Sequence, residues 1–476
     1  MGSSGCRVEL HGGMEAEEED ESRSEPSAIS TEQEAASGTD SGQMSEGRTS
    51  AGSKVKTVAP RRRAVRAPPG VVSPVEAKLE AALERARTYA RDGQATEGVA
   101  ELVRCVALSR VLFGDGHWRL AQAYTDLAHA YLHLRGLASQ ARQHAETARR
   151  ILLCGTLFAP SVQERLDILH TLFSMYCTLG KATAQLKHLK ESEQNLMNAE
   201  KILEELQESR LDVSEMVQLE IELITTQGRL YVQQGKATQA VLLLERSLKL
   251  MQSLTITDDA RIIEAHRWLV RAHQLCSNHE AAIEISLQAK AIAGSSFGPG
   301  STKVAQATHT LGQAYTCTGN IEHEGLAEQN LLESLSMYQQ AGLVESSRAL
   351  AVLDDLCHLH VHMKKYQEAF ERSRSSMATK REVFGECSEK VAETFHLMGA
   401  IRMAQGELPS AYRLMKKCLD IQSLLYGPQH KKTKATKETL NTLSRCPGVV
   451  AKRNAPKGDP SRKHLSAAVE RQKPPK

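Results

Sequence analysis

No stretch of about 18 apolar residues occurs in the 476-residue chain, so no segment is long and apolar enough to cross a bilayer as a helix. An apolar leader core is also missing, because polar and acidic residues follow the first methionine almost at once, and no export is expected. None of the ten cysteines forms a CxxC pair. The usual zinc and redox spacings are therefore absent, and a chain kept under reducing conditions is expected to carry free thiols. The segment "FGPGSTK" lacks the GxxxxGK[ST] spacing of a phosphate loop, and neither GxSxG nor HExxH is present. These absences point to a non-enzymatic chain with no cofactor, placed in the cytosol or on an organelle.

Aromatic residues are scarce at 4%, with Trp118 and Trp268 the two tryptophans. What is plentiful is Ala, Leu, Glu, Gln and Lys, side chains that lose little rotamer freedom in a helix. Charge is uneven along the chain. Residues 1–75 hold nine Lys/Arg against twelve Asp/Glu, residues 76–446 hold 43 of each, and residues 447–476 hold eight against two. The acidic run Glu15–Glu21 and the basic "PRRRAVR" at Pro60–Arg66 have too few apolar neighbours to offset the entropy of ordering. Disordered tails are accordingly expected at 1–74 and 446–476, around a helical array at 75–445.

Within that array the sequence repeats. One column of small residues runs Ala86, Ala128, Gly180, Gly228, Val270, Gly312, Cys357 and Gly399, and four of the seven gaps are 42 residues. Three positions on stand Tyr89, Tyr131, Tyr231 and Tyr315, with His273 and His360 in other copies. Seven positions on, Gly93, Gly235, Gly319 and Gly406 suit a tight turn. Twelve positions on, Gly98, Ser192, Ala240, Ala282, Ala369 and Ala411 continue the pattern, and Cys105 and Cys418 belong to a further packing column. Phe113-Gly114, Phe297-Gly298, Phe384-Gly385 and Tyr426-Gly427 mark joints between units.

Antiparallel helices joined by a tight turn need small residues where their backbones cross, and these offsets are the tetratricopeptide pattern. HEAT and armadillo arrays also repeat at about 40–47 residues and are the alternative, but the Gly–Tyr–Gly–Ala spacing argues against them. The expected fold is all-α: a right-handed superhelical solenoid of about eight helix pairs from Val75 to Gln429, capped by a polar helix near Thr433–Ser444. The gaps of 52 and 48 residues around Gly180 require longer loops or longer helices there.

A solenoid of this kind binds partners in the groove lined by its first helices. Projecting the columns places Thr125, His129, Lys181, Thr225, Arg229, Arg267, Arg271, His309, Gln313, His358 and His396 in it. The cations from Lys181 to Arg271 suit an acidic or phosphorylated peptide; the plainer reading pairs them with Glu222 and Glu264. No asparagine occupies these positions, so a clamp for chaperone tails is not expected. His358 and His362, four apart in "CHLHVHMKKY", share a helix face as two metal ligands would, but no third ligand is indicated. Cys6 stands where the myristoylation pattern at Gly2 wants Ser or Thr, so a lipid anchor at Gly2 and Cys6 is not the expectation. The expected partners are proteins, with neither nucleic acid nor a membrane span.

The 42-residue unit with its "FG" or "YG-P" joint resembles the repeats of kinesin light chains. "ELVRCVALSRVLFGDGHWRLAQAYTDLAHAYLHLRGLASQARQHAETARRIL" and "KKCLDIQSLLYGPQ" resemble more specifically the tetratricopeptide repeat protein 23 and 23-like family, from about Leu79 to Thr442. That resemblance implies a non-catalytic scaffold near the base of the primary cilium, supporting Hedgehog signalling through ciliary-base proteins. The 23-like branch implies centrosome or midbody association instead, close to the microtubule-adaptor reading that the kinesin light chain likeness suggests.

Overall fold

The computed structural model describes residues 74–154, 161–208, 212–254 and 258–446. Those residues form seventeen helices and, among them, no strand. The first pairs are α1 (Pro74–Arg91) with α2 (Ala95–Phe113), α3 (Trp118–His133) with α4 (Ala138–Cys154), and α5 (Val162–Gln185) with α6 (Leu189–Glu208). Next come α7 (Val213–Gln233) with α8 (Ala237–Ser253), α9 (Asp259–Leu275) with α10 (His279–Phe297), and α11 (Thr302–Cys317) with α12 (Ile321–Gln340). The last are α13 (Ser347–His362) with α14 (Tyr366–Phe384) and α15 (Glu389–Ala404) with α16 (Leu408–Tyr426), followed by α17 (Lys431–Ser444) against α16. The anticipated excess length around Gly180 is helix: α5, α6 and α7 have 24, 20 and 21 residues.

Six of the eight pairs close through one turn chemistry. In the fourth unit the Lys236 amide donates to the Tyr231 carbonyl at 2.9 Å and the Gly235 amide to Val232 at 3.3 Å, the paired bonds of a Schellman cap. Such a cap needs a left-handed residue at its fifth position, and Gly235 has φ +74°. Three units meet the same demand without glycine: Lys187, Ser277 and Lys364 have φ +64°, +57° and +60°. The Tyr/His column therefore marks the carbonyl that accepts the closing bond at Tyr89, Tyr131, Tyr231, His273 and His360, whereas at Tyr315 the turn tightens onto Thr318 and Asn320 caps α12 with its side chain.

Because these caps satisfy the chain at the turn, helices α2, α8, α10, α14 and α16 start without a side-chain cap. Among the helices that open a unit after a joint, α5, α11, α13 and α15 use one instead. Ser161, Ser301, Ser346 and Ser388 each accept from the amide three residues on, at 3.1 to 3.4 Å.

The glycine column sits where the two helices of a unit touch. A methyl group on Gly180 would lie 2.6 Å from Leu196, and one on Gly228 2.8 Å from Leu244, each on the unit's own second helix. The Ser192 hydroxyl donates to the Gly180 carbonyl at 2.7 Å, tying the small residue twelve positions on to the first column. The apolar core is a succession of clusters, each spanning neighbouring helices; one joins Leu169 and Phe173 of α5, Leu196 and Leu203 of α6, and Leu223 and Leu230 of α7. This is how a chain too long for one ordinary core buries its apolar surface.

From α3 to α13 each odd-numbered helix also packs on the next odd-numbered one, whereas no even-numbered helix does so to a comparable extent. The odd helices are thus crowded onto the shorter side of the array and form the inner wall of a trough. The expected tail segments and Gly2 and Cys6 lie outside the described residues.

Candidate functional site

The trough is lined with polar side chains, several of them bonded from one repeat to the next. On α5, half-buried Lys181 donates to Glu222 of α7 at 2.8 Å. Burial alone would raise the Glu222 carboxyl, but the charge and hydrogen bond of Lys181, with His129 and Arg261, hold it below its ordinary value. His129 and His133 of α3 stack with ring centroids 4.2 Å apart beside this pair. Desolvation and Lys181 lower both, and the His129 imidazole adds to the shift of His133, which falls to about 3, so the two histidines are neutral at physiological pH. Asp126, one turn before His129, is open to water, yet the surrounding protein pushes its carboxyl up to about 6.

Further along, Trp268 of α9 lies between two guanidinium groups. Arg229 of α7 sits 4.9 Å and Arg267 5.0 Å from the indole centroid, and the indole N–H donates to Glu264 at 3.0 Å. Arg267 also pairs with Glu264, whose carboxyl is desolvated but held low by Arg267 and Arg229. On α11, His309 and Gln313 both bond one oxygen of Asp355 of α13, each at 2.7 Å. His358 and His396 complete the line on α13 and α15; both are exposed, and His396 is lowered by desolvation and by His358. Arg271 is half-buried on α9, within electrostatic range of Cys317.

Two projected trough residues do not face it. Thr125 is buried, with its hydroxyl bonded to the Ala121 carbonyl at 2.9 Å, because its position on α3 lies one face away from Asp126 and His129. Thr225 turns toward its own second helix and shares a 2.6 Å hydrogen bond with Ser247. Of the two readings of the cations the plainer one describes the structure, since Glu222 and Glu264 stand among Lys181, Arg229 and Arg267 and the charges alternate. Sequence reading missed Asp126, His133, Asp355 and Trp268 as trough residues; Arg229, which meets Trp268, and His309 and Gln313, which bond Asp355, stand about one repeat away, where no local pattern shows them.

The histidine cluster also resolves differently from its spacing. His358 and His362 are exposed, while His360 is buried and bonds Glu328 of α12 at 2.9 Å, with Glu368 of α14 4.0 Å from its other nitrogen. Glu328, His360 and Glu368 have the donor types for a cation. Lys365 already reaches both oxygens of Glu328, at 3.1 and 2.8 Å, and a metal ion would have to displace its ammonium group. The cluster is an ion-pair lock between α12, α13 and α14. Cys105 and Cys418 are buried, and desolvation lifts both thiols to about 11, which keeps them protonated.

No family model matches the chain. Human tetratricopeptide repeat protein 23 is 34% identical over 380 residues, which cover 80% of this chain and 84% of the relative. The chain belongs to the tetratricopeptide repeat protein 23 family. The mouse 23-like protein is also 34% identical, over 369 residues covering 77% and 80% of the two chains. Among solved structures, BtubC from P. vanneervenii is similar over 49% of this chain and 92% of its own, at 19% identity and a TM-score of 0.43. A Rap protein complexed with competence and sporulation factor is similar over 77% and 98%, at 11% identity and a TM-score of 0.48. A Podosopora anserina putative kinesin light chain is similar over 45% and 99%, at 20% identity and a TM-score of 0.37. Family and fold together support a protein-binding role.

Proposed function

We propose that the chain is a non-catalytic scaffold that holds a partner polypeptide in its trough, acting at the base of the primary cilium in support of Hedgehog signalling. The observation that carries the trough is its continuity: polar groups on α3, α5, α7, α9, α11, α13 and α15 form a single line. Most are bonded to each other, so the wall is stiff, and Asp126, His129, His358 and His396 stand exposed along it. A pre-ordered wall loses little side-chain entropy when an extended segment is laid along it. Family membership supports the ciliary placement.

The test is proximity labelling in ciliated cells with the tagged chain and a variant carrying Asp126→Arg, His358→Glu and His396→Glu, all exposed positions. The scaffold reading expects ciliary-base proteins to be labelled, and expects the folded triple variant to lose them. Labelling of centrosome, spindle or midbody proteins would replace the ciliary placement with the microtubule-adaptor reading. An unchanged set of neighbours in the triple variant would remove the trough as the binding face.

A further inference from the structure

A second pocket opens on the other side of the array. Helix α15 turns His396 toward His358 in the trough and sets Phe395, Met398 and Arg402 on the opposite face. There α14 and α16 stand apart, and α15 floors a cavity of about 590 Å³ between them. The floor is apolar, formed by Phe370, Phe395, Met377 and Met398.

Five cations rim it: Arg374 and Arg381 on α14, Arg402 on α15, and Arg413 and Lys417 on α16. The aromatic floor holds three of them. The Arg402 guanidinium lies 3.6 Å from the Phe370 centroid, while Arg381 and Lys417, from the two walls, lie 5.7 and 5.4 Å from that of Phe395. Two have a carboxylate neighbour, Arg381 with Glu386 at 3.2 Å and Arg402 with Glu407 at 2.9 Å. Among the described residues none lies within salt-bridge reach of Arg374, Arg413 or Lys417. So many like charges around one cavity repel each other unless an anion enters, and the apolar floor rewards an apolar body attached to that anion.

We propose that this outer pocket between α14 and α16 binds a short segment of a partner protein in which acidic side chains flank a bulky apolar one. Arg374 and Arg381 are two helical turns apart, about 10 Å along α14. That length matches three or four extended residues laid along α14, with the apolar side chain on Phe395 and Met398, the flanking carboxylates toward Arg374 and Arg381, and Arg413 and Lys417 facing them from α16. The site is independent of the trough, because its residues lie on the opposite face of α15.

The probe is a short fluorescein-labelled peptide of alternating glutamate and leucine, titrated against the full chain by fluorescence anisotropy. The variant is Arg374→Glu, Arg413→Glu and Lys417→Glu, all exposed, with helicity checked by circular dichroism. Binding should weaken about tenfold or more in this variant and stay unchanged in Asp126→Arg. Equal binding by the variant would overturn the proposal. So would an all-glutamate peptide binding as tightly, which would leave charge as the sole requirement, or preferential capture of phosphatidylserine vesicles, which would make the site a lipid contact. Stronger peptide binding after Glu17→Gln, Glu18→Gln and Glu19→Gln would make the chain's own acidic run the occupant and overturn the partner assignment.

Discussion

Lys181 and Glu222 are 41 residues apart in sequence and 2.8 Å apart in space, so one ion pair bolts α5 to α7 on the inner wall. Removing both partners separately and together, as Lys181→Met and Glu222→Gln, should give a coupling of about 1 kcal/mol in a double-mutant cycle by urea unfolding. The Glu222 carboxyl is held below 4.5 in the folded chain. Its contribution is therefore complete above that ordinary value and is lost as pH falls through the lower folded value. A coupling as large at about pH 3 as at neutral pH would contradict the pairing.

Glycine is expected to be indispensable at one column position and replaceable at another. A methyl group on Gly228 meets fully buried Leu244 at 2.8 and 2.9 Å, so Gly228→Ala should cost about 1–3 kcal/mol. At Gly98, inside α2, the nearest atom is 3.6 Å away. Gly98→Ala should raise stability by about 0.5–1 kcal/mol, and thermal melts of the two variants should move in opposite directions.

The three turns closed without glycine store strain. Lys187, Ser277 and Lys364 are exposed and left-handed, so Lys187→Gly, Ser277→Gly and Lys364→Gly should each stabilise by about 0.5–1 kcal/mol. The expected gain is the left-handed penalty less the added freedom of glycine in the unfolded chain. A fall in melting temperature for all three would refute this account of the turn.

Lys380 of α14 is 1% exposed, paired with Asp354 of α13 and bonded to the Thr394 hydroxyl of α15 at 2.8 Å. Lys380→Met alone strands Asp354 and should cost about 3 kcal/mol. Adding Asp354→Leu should recover most of that loss, as it does where buried ion pairs give way to apolar groups. Failure of the double variant to recover would mean that the pair is required for packing α13 through α15.

The helix pairs were legible in the sequence because each is built from local rules. Small residues at fixed offsets force the crossing at Gly180 and Gly228, and the Tyr/His column with glycine four positions later closes the turn. The joint at Phe384-Gly385 likewise reads directly, since Gly385 takes φ +90° just past α14. The trough was legible in part. Sequence placed His129, Lys181 and Arg229 on α3, α5 and α7, but could not separate Thr125 from Asp126, where one residue rotates a side chain by about 100° around the helix.

Local spacing sets the repeating unit: its two helices, their close contact and their turn follow from residues within about 20 positions of each other. The packing of units on one another sets how polar residues meet across them: Lys181 with Glu222, Arg229 with Trp268, and His360 with Glu328 and Lys365. It also decided that Arg374 and Arg381 of α14 face Arg413 and Lys417 of α16 over one apolar floor. Helical periodicity fixes a side chain's angle on its own helix. Which residue meets it from the next unit depends on the rotation between repeats, which no local spacing records.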